Sequence, residues 1–587
     1  MCGIFGFVAK NDMPANTVLN GLKLLEYRGY DSWGIAVKSR GKILVEKHTG
    51  KIGRSDTILP PSTMGIGHTR WATHGGVKVK NAHPHLDCTK QIAVLHNGII
   101  ENFQELKQDL LKKGHRFVSE TDTEVVPHMI EEALKSVSFP EAVRLVFLQL
   151  TGMNGIVVMD SASGEIVAAK NGSPLIIGIG KSAVFIASDA LGILRHTKQA
   201  IFLSDDQMAI LGQGVITLDV FTGKNIQPEI SRLNFEFRDE TLGKYKHFLL
   251  KEIYEQPAVI KNVALNYDDY ARSLAQKIDR AFGTFMVGCG TASYACLAGT
   301  YLFSEIAKKH VNFTIGSEFA YLEDYITPKS LIIALSQSGE TIDVIGPMTR
   351  VRRREAQVVA LVNVIGSTLY RMADYKVPLG AGQEKAVAAT KSFTAMVAVL
   401  ILTAYTLSGR LKDGKRLLSE AAESLHDVLS ERNVKQIKRL ARLLAKKEHL
   451  FLIGRGLSHA AALEATLKIK EVSYLHAEGF PGGELKHGVL ALVEKGTPCI
   501  VFAPLDETSA EILSNAQEVK ARGGYVIGIG PKNNSVFDFF LPTRDVKEAT
   551  ILPQVVSAQL LSYFIALRRG VSDPDKPRNL AKSVTVK

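Results

Sequence analysis

The chain has 587 residues, 46% apolar and 22% charged, with 49 glycines and 20 prolines, so it can bury several cores and is neither a disordered tract nor a collagen-like repeat. Its five cysteines include no CxxC pair, which excludes a disulfide framework and a cysteine-rich zinc site and points to a reducing compartment. The net charge of +12 is diluted along the chain, and its densest runs (350–354, 435–447) read as solvated helix faces, so no nucleic acid and no membrane is expected as a partner.

In chain order, the opening MCGIFGFVAK lacks a basic stretch followed by a long apolar one and does not read as a signal peptide. From 1 to 239, short apolar runs such as GKILVEKH, QIAVLHNG, GIVVMDS, EIVAAKNG and AVFIASD alternate with turn residues. This predicts a layered, largely antiparallel β structure with helices only near 19–27 and 101–113. KYKHFLLKEIYEQP, from residue 244, is expected to be a linker coupling the two parts. Beyond it, long helical patterns alternate with short buried strands (TFMVGCG, SLIIALS, QVVALVNV, HLFLIGRG, PCIVFAP, YVIGIG). That alternation predicts an α/β architecture of doubly wound parallel sheets with sites at the carboxyl ends of the strands. The apolar runs at 395–407 and 551–567 are too short or too interrupted for a bilayer span and read as buried helices; a cytoplasmic protein is expected.

The second part repeats itself. VGCGTASYACLAGTYLFSEIA, from 287, and IGRGLSHAAALEATLKIKEVS, from 453, align at an offset of 166, pairing Gly288 with Gly454, Gly290 with Gly456 and Glu305 with Glu471. SLIIALSQSGET (330–341) likewise faces PCIVFAPLDET (498–508). Only the first copy keeps a hydroxyl-rich loop, so the copies are expected to differ in function.

That loop, Ser336, Gln337, Ser338, Gly339, Glu340 and Thr341, follows a buried strand and should open a helix. Backbone N–H groups and three hydroxyls there would cradle a phosphate without metal or lysine. Helix capping is the plainer reading, but it needs only one hydroxyl. Nucleotide motifs are incomplete: Gly288-x-Gly290 lacks the third glycine of a dinucleotide fingerprint, and Gly180-Lys181-Ser182 lacks the upstream glycine of a Walker loop. Cys2 stands directly after Met1; once the methionine is removed, its free α-amine could activate its own thiol. From position alone, a chance early cysteine is the plainer reading.

MCGIFG, EYRGYDS (26–32), HTRWATHG (68–75), NAHPH (81–85), HNGIIEN (96–102) and SETDTE (119–124) together resemble the class II, N-terminal-nucleophile glutamine amidotransferases, in the family's order. SQSGET, GELKHG (483–488) and the terminal PRNLAKSVTV narrow the resemblance to the glutamine:fructose-6-phosphate aminotransferase family, over essentially the whole chain. It implies three domains: a glutamine amidotransferase domain of αββα type at 1–239, a sugar isomerase (SIS) domain with linker at 240–425, and a second SIS domain with a catalytic tail at 426–587.

The resemblance also implies roles. Cys2 would attack the glutamine amide, with Asn97 and Gly98 forming the oxyanion hole. Arg70 and Asp122 would grip the glutamine's carboxylate and amine, with Trp71, Thr73, His74 and His83 in the same loops and Trp71 gating ammonia passage. His68, His74, His83, His85 and His96 lie close in sequence and could be taken for metal ligands, but the family uses none there; no metal and no cofactor is expected. At the sugar end His487 would open the ring, Lys582 would form a Schiff base with the ketose, and Glu471 would move the proton between C1 and C2. Thr291, Ser336, Gln337, Ser338, Thr341, Val387, Lys468 and Ala581 would hold the sugar phosphate. Helical spacing puts Glu464, Lys468 and Glu471 on one face, and the tail bearing Lys582 would be an ordered lid. The substrates implied are glutamine and fructose 6-phosphate, and the assembly a homodimer.

Two positions depart from the family pattern: Ala292 and Ala389 stand where serines are usual, with Thr291, Ser293 and Thr390 as possible substitutes. A sugar-phosphate isomerase or deaminase with a relict front domain, and a sugar-phosphate sensor, are the competing readings. The first leaves the Cys2, Arg70, Asn97 and Asp122 set without a use, and the second the Glu471, His487 and Lys582 set.

Overall fold

The computed structural model describes residues 2–233 and 241–584. The chain forms two compact units, Met1–Asp239 together with Ala581–Lys587, and Glu240–Leu580. Two things differ from the expected domain pattern. Segments 240–425 and 426–580 make one unit, because residues from Leu249 to Ala566 share one continuous apolar core. The terminal residues from Ala581 group with the first unit instead of with 426–580.

In the first unit, an eight-stranded sheet has the strand Gly3–Met13 between Ala183–Ala187 and Ser62–Arg70. A seven-stranded sheet has Ile92–Gly98 between His85–Leu86 and Asn154–Asp160. Pairing is antiparallel in both, among the described residues. Because side chains alternate along a strand, Ile4 and Val8 point into the layer between the sheets, where they meet Leu95, Val157 and Ala209. Phe5 and Phe7 point the other way, onto Val18 and Leu22 of the helix Asn16–Leu25. On the outer face of the second sheet, Ile92, Val94 and Ile156 pack against Leu110, Val126, Ile130 and Val143. The result is the αββα layering that the resemblance implied.

Two helices on that face, Val125–Ala133 and Phe139–Phe147, were not among the predicted elements. Pro127 and Pro140 interrupt the pattern in the sequence, yet both lie in a first turn, where the missing N–H costs nothing. Behind them Val126, Met129 and Ile130, then Ala142, Val143 and Val146, keep a helical spacing and are buried.

The second unit holds two five-stranded parallel sheets. One runs Asn312–Ile315, Gly283–Gly288, Ser330–Ser336, Gln357–Val362, Tyr375–Pro378. The other runs His476–Pro481, His449–Gly454, Pro498–Phe502, Tyr525–Gly530, Phe539–Pro542. Each has the strand order 2-1-3-4-5 in its own numbering, so the sequence repeat is a repeat of topology. The helices Lys391–Leu407 and Ile551–Arg568 are buried along most of their length; the second is long and apolar enough to cross a membrane, but Leu552, Val555, Leu560 and Leu561 are enclosed in the core.

The expected linker is instead the start of the helix Phe248–Asn266, whose Leu249, Ile253, Ile260 and Val263 are core residues. Its first turn is capped from far along the chain: the Phe248 and Leu249 N–H groups donate to the Asp575 carboxylate at 2.8 and 2.7 Å. The Asp575 carbonyl in turn accepts from the Val387 N–H at 2.8 Å.

Candidate active site

In the first unit, Cys2 precedes the central strand Gly3–Met13, where the Gly3 N–H donates to Thr69 Oγ1 at 3.0 Å. The Trp71 N–H donates to Cys2 Sγ at 3.2 Å, and Asn97 Nδ2 donates to the Cys2 carbonyl at 3.1 Å. Burial pushes the thiol above its ordinary pKa, against the Trp71 N–H and the nearby Arg70 and Arg28 charges, which lower it. Asn97 is held from behind, its Oδ1 3.1 Å from His68 Nε2. Gly98 follows with φ +145°, and a Cβ there would lie 2.2 Å from the Met153 carbonyl oxygen, so only glycine fits.

Arg70 is buried at the end of the strand Ser62–Arg70, and its guanidinium donates to the Gly75 and Gly76 carbonyls at 3.0 and 3.3 Å, which folds the loop back over it. The Asp122 carboxylate accepts from the Ile100 N–H at 2.9 Å. Trp71 is half-buried, edge-on to Tyr30 at 5.6 Å; Thr73 is exposed and His74 packs edge-on against Phe103.

The other histidines form a buried stack. His68 and His83 lie 4.1 Å apart, and His83 and His85 4.6 Å, between ring centroids. Thr123 Oγ1 is 3.1 Å from His83 Nε2 and 3.0 Å from His96 Nδ1; Thr121 Oγ1 is 3.0 Å from His85 Nε2. Burial lowers all four pKa values, that of His68 to about 3, so the stack is neutral at physiological pH. Its rings are engaged by hydroxyls and by Asn97 and Asn154.

In the second unit, the helix Leu457–Ser473 carries Glu464, Lys468 and Glu471 on one face, as their spacing predicts. Lys468 Nζ is ion-paired with Glu471, lies 3.4 Å from Glu464 Oε1, and donates to Thr291 Oγ1 at 3.0 Å. Thr291 is the first residue of the helix Thr291–Ala307 in the other module, so this cluster joins the two repeats. Burial raises Glu464 to about 8, with Glu471 adding to it and Lys468 opposing. Burial also works against the charge of Lys468, but Glu464 and Glu471 outweigh it and hold the ammonium above its ordinary range.

The 336–341 loop folds as a helix entry. Ser336 Oγ accepts from the Gly339 N–H at 2.9 Å and lies 3.3 Å from Thr341 Oγ1, while Ser338 Oγ accepts from the Glu340 N–H at 3.2 Å; the helix Ile342–Arg353 follows. Gly339 has φ +66°, and a Cβ there would meet Ser367 Oγ at 2.0 Å. In the other repeat, the matching crevice between Glu305 and the 505–508 loop is acidic: burial, with Glu507, Glu548 and Asp506 close by, raises Glu305 to about 7.

Two buried carboxylates shape the site without having been legible in the sequence. Glu384 Oε1 accepts from the Thr390 N–H at 2.8 Å and Oε2 from Ser392 Oγ at 2.8 Å. Glu252 Oε1 accepts from the Lys385 and Ala386 N–H groups. Together they hold the loop containing buried Val387 and half-buried Ala389; Glu384, just before the apolar stretch 386–389, was the available signal for one of them. Of the substitutes for the missing serines, Ser293 already donates to the Gly290 carbonyl at 2.7 Å and Thr390 is enclosed beside Glu384. His487 is exposed on the short helix Gly482–His487, and among the described residues no hydrogen bond or ion pair joins it to Glu471. Ala581 and Lys582 are half-buried, beside buried Ser583, in the terminal segment grouped with the first unit.

Two family models match the chain: a glutamine amidotransferase domain over residues 68–195 and an SIS domain over 280–405 and 443–538. Over 100% of both chains it is 42% identical to glutamine–fructose-6-phosphate aminotransferase (isomerizing) of Pyrococcus horikoshii, and 41% identical to the enzyme of that name from Thermococcus kodakarensis. Among solved structures, the C-terminal domain of glucosamine-fructose-6-phosphate aminotransferase from Francisella tularensis matches with TM-score 0.52 and 32% identity, covering 56% of this chain and 98% of that one. With such identity sustained from end to end, on a glutamine amidotransferase layer followed by paired SIS modules, the chain belongs to the glutamine–fructose-6-phosphate aminotransferase (isomerizing) family.

Proposed function

We propose that the chain converts glutamine and fructose 6-phosphate to glutamate and glucosamine 6-phosphate. The observation that carries this reading is that one chain combines a strand-end Cys2 under the Trp71 N–H with a buried Lys468–Glu471 cluster spanning two sugar isomerase modules.

Cys2 Sγ adds to the glutamine carboxamide carbon. The oxyanion forms against Asn97 Nδ2 and the Gly98 N–H, and collapse expels ammonia to leave a thioester, which water hydrolyses to glutamate. Arg70 and Asp122 hold the substrate's carboxylate and amine, with Trp71, Thr73 and His74 around them and His83 supporting from the stack. His487 assists ring opening and Lys582 holds C2 of the ketose as a Schiff base. Ammonia displaces that lysine, and Glu471 carries the C1 proton to C2, turning a ketose imine into an amino aldose. Thr291, Ser336, Gln337, Ser338, Thr341, Val387, Lys468 and Ala581 form the sugar-phosphate contacts.

Ammonia in neutral water is mostly protonated and non-nucleophilic, which favours its transfer to the ketose past Trp71 without release. The modules would meet near 425/426, between the two matched SIS ranges. A homodimer is the proposed assembly, and sedimentation at the mass of a single chain would exclude it.

The test is a coupled assay of purified protein, scoring glutamate and glucosamine 6-phosphate together. One-to-one products are expected. Cys2→Ala should abolish the reaction with glutamine and retain it with ammonium salts. Glutamate without amino sugar would overturn the assigned acceptor.

A further inference from the structure

Away from the Cys2 site, four side chains that this reaction does not use converge on one point in the first unit. Cys88 lies in the turn after the strand His85–Leu86, His115 follows the helix Phe103–Lys112, and His128 and Glu131 stand three residues apart on the helix Val125–Ala133. Cys88 Sγ is 3.7 Å from His115 Nδ1 and 3.6 Å from His128 Nδ1. Glu131 Oε2 is 3.1 Å from His115 Nδ1 and 3.5 Å from His128 Nδ1, and all four atoms lie within 4.8 Å of one another. We propose that Cys88, His115, His128 and Glu131 bind one tetrahedral divalent cation, zinc by preference, as a structural site.

The geometry carries this. Bond lengths of about 2.3 Å to sulfur and about 2.0–2.2 Å to nitrogen or oxygen, at tetrahedral angles, put ligand atoms about 3.3–3.6 Å apart. The sulfur–nitrogen and nitrogen–oxygen separations match that spacing. A thiolate, two imidazoles and one carboxylate suit a borderline-soft cation and exclude magnesium or calcium. One thiolate and one carboxylate also neutralise a dication. One outer group fits as well: His115 Nε2 is 3.0 Å from Glu132 Oε1, a partner that favours the tautomer with Nδ1 turned to the ion, while His128 Nε2 has Glu124 Oε1 4.0 Å away, beyond hydrogen-bond reach. The turn presenting Cys88 is pre-set, since Asp87 Oδ1 accepts from the Ile92 N–H at 2.8 Å and Oδ2 from the Thr89 N–H at 3.0 Å. Cys88 is exposed, which gives an ion a way in, while both histidines are buried. Four protein ligands leave no open position, so the ion's effect is to pin the Cys88 turn and residue 115 to the helix that begins just after Asp122.

The test uses the full-length protein, stripped with chelator and titrated with zinc sulfate alone, with bound metal counted by atomic spectroscopy. One zinc per chain is expected, along with a zinc-dependent rise in thermal midpoint. Cobalt(II) should give tetrahedral ligand-field bands and a thiolate charge-transfer band. Cys88→Ser, at an exposed position that leaves the fold intact, should abolish the charge-transfer band and the thermal shift. His128→Gln should weaken binding beyond the about 10–100-fold typical of outer-shell changes, and Glu132→Gln should fall within that range. If His128→Gln does not fold, the cobalt spectrum of Cys88→Ser decides alone. No stoichiometric zinc, an octahedral cobalt spectrum, or metal retained in a Cys88→Ser, His115→Gln double variant would each overturn the site, the last marking adventitious surface binding.

Discussion

Lys468 reaches across from one SIS module to donate to Thr291 of the other at 3.0 Å, while Glu464 and Glu471 flank it on its own helix. The ammonium is thus the shared centre of a buried cluster with two carboxyl groups, Glu471 being its ion-pair partner. Lys468→Met is expected to cost about 3–5 kcal/mol of stability, the usual result of orphaning a buried charge, and to abolish amino-sugar formation. Glutamate release should persist in the same variant, and assaying both products alongside thermal unfolding checks this.

The protonation of Glu464 gives a pH signature. Its pKa rises from 4.5 to about 8, mainly through burial, so the folded chain keeps a proton that the unfolded chain releases. Its contribution to stability is therefore greatest below about pH 4.5 and declines as pH rises toward about 8. Glu464→Gln removes the titration, so the thermal midpoint of the unmodified chain should fall relative to the variant across that window. Midpoints that stay parallel would contradict the assignment.

Gly98→Ala should damage only the glutaminase step. Its Cβ would sit 2.2 Å from the Met153 carbonyl at a φ of +145°, a strain of about 1–3 kcal/mol that moves the backbone beside Asn97. Glutamate release is expected to fall by at least about 100-fold, the scale of losing one oxyanion donor. Ammonium-dependent amino-sugar formation should be kept.

The Asp575 cap gives a stability prediction, its carboxylate serving the helix Phe248–Asn266 while its carbonyl holds the Val387 N–H. Asp575→Ala should cost about 0.5–2 kcal/mol, as loss of a side-chain cap does, and Asp575→Asn should recover much of it. Calorimetry of the two variants, with proteolysis near residue 248, reads the difference.

Where the sequence was legible, the physics was local. The paired Gly-x-Gly motifs at 288–290 and 454–456 foretold two modules, and both sheets share one strand order. Spacing alone put Glu464, Lys468 and Glu471 together. The helices at Val125–Ala133 and Phe139–Phe147 escaped because a proline in a first turn looks like a breaker until the start of the helix is known. The Cys88 cluster escaped for another reason: its members lie on a turn, a helix exit and a helix face, and only the stacking of helices on the seven-stranded sheet makes them neighbours. Glu252 and Glu384 hold backbone groups of loops, and such partners follow no period.

The long-range cap at Asp575 also bears on how the chain is made. Among the described residues, the first unit's sheets draw on strands between Gly3 and Arg232, so they can pair as soon as that stretch leaves the ribosome. The helix Phe248–Asn266 is different, because its capping partner lies 327 residues downstream. At about 5–20 residues per second, that helix waits on the order of 15–65 s for its cap. The chain's two halves are thus released from synthesis on different schedules, and a ribosome stalled before residue 575 would display the first unit's two sheets already paired and the helix Phe248–Asn266 still uncapped.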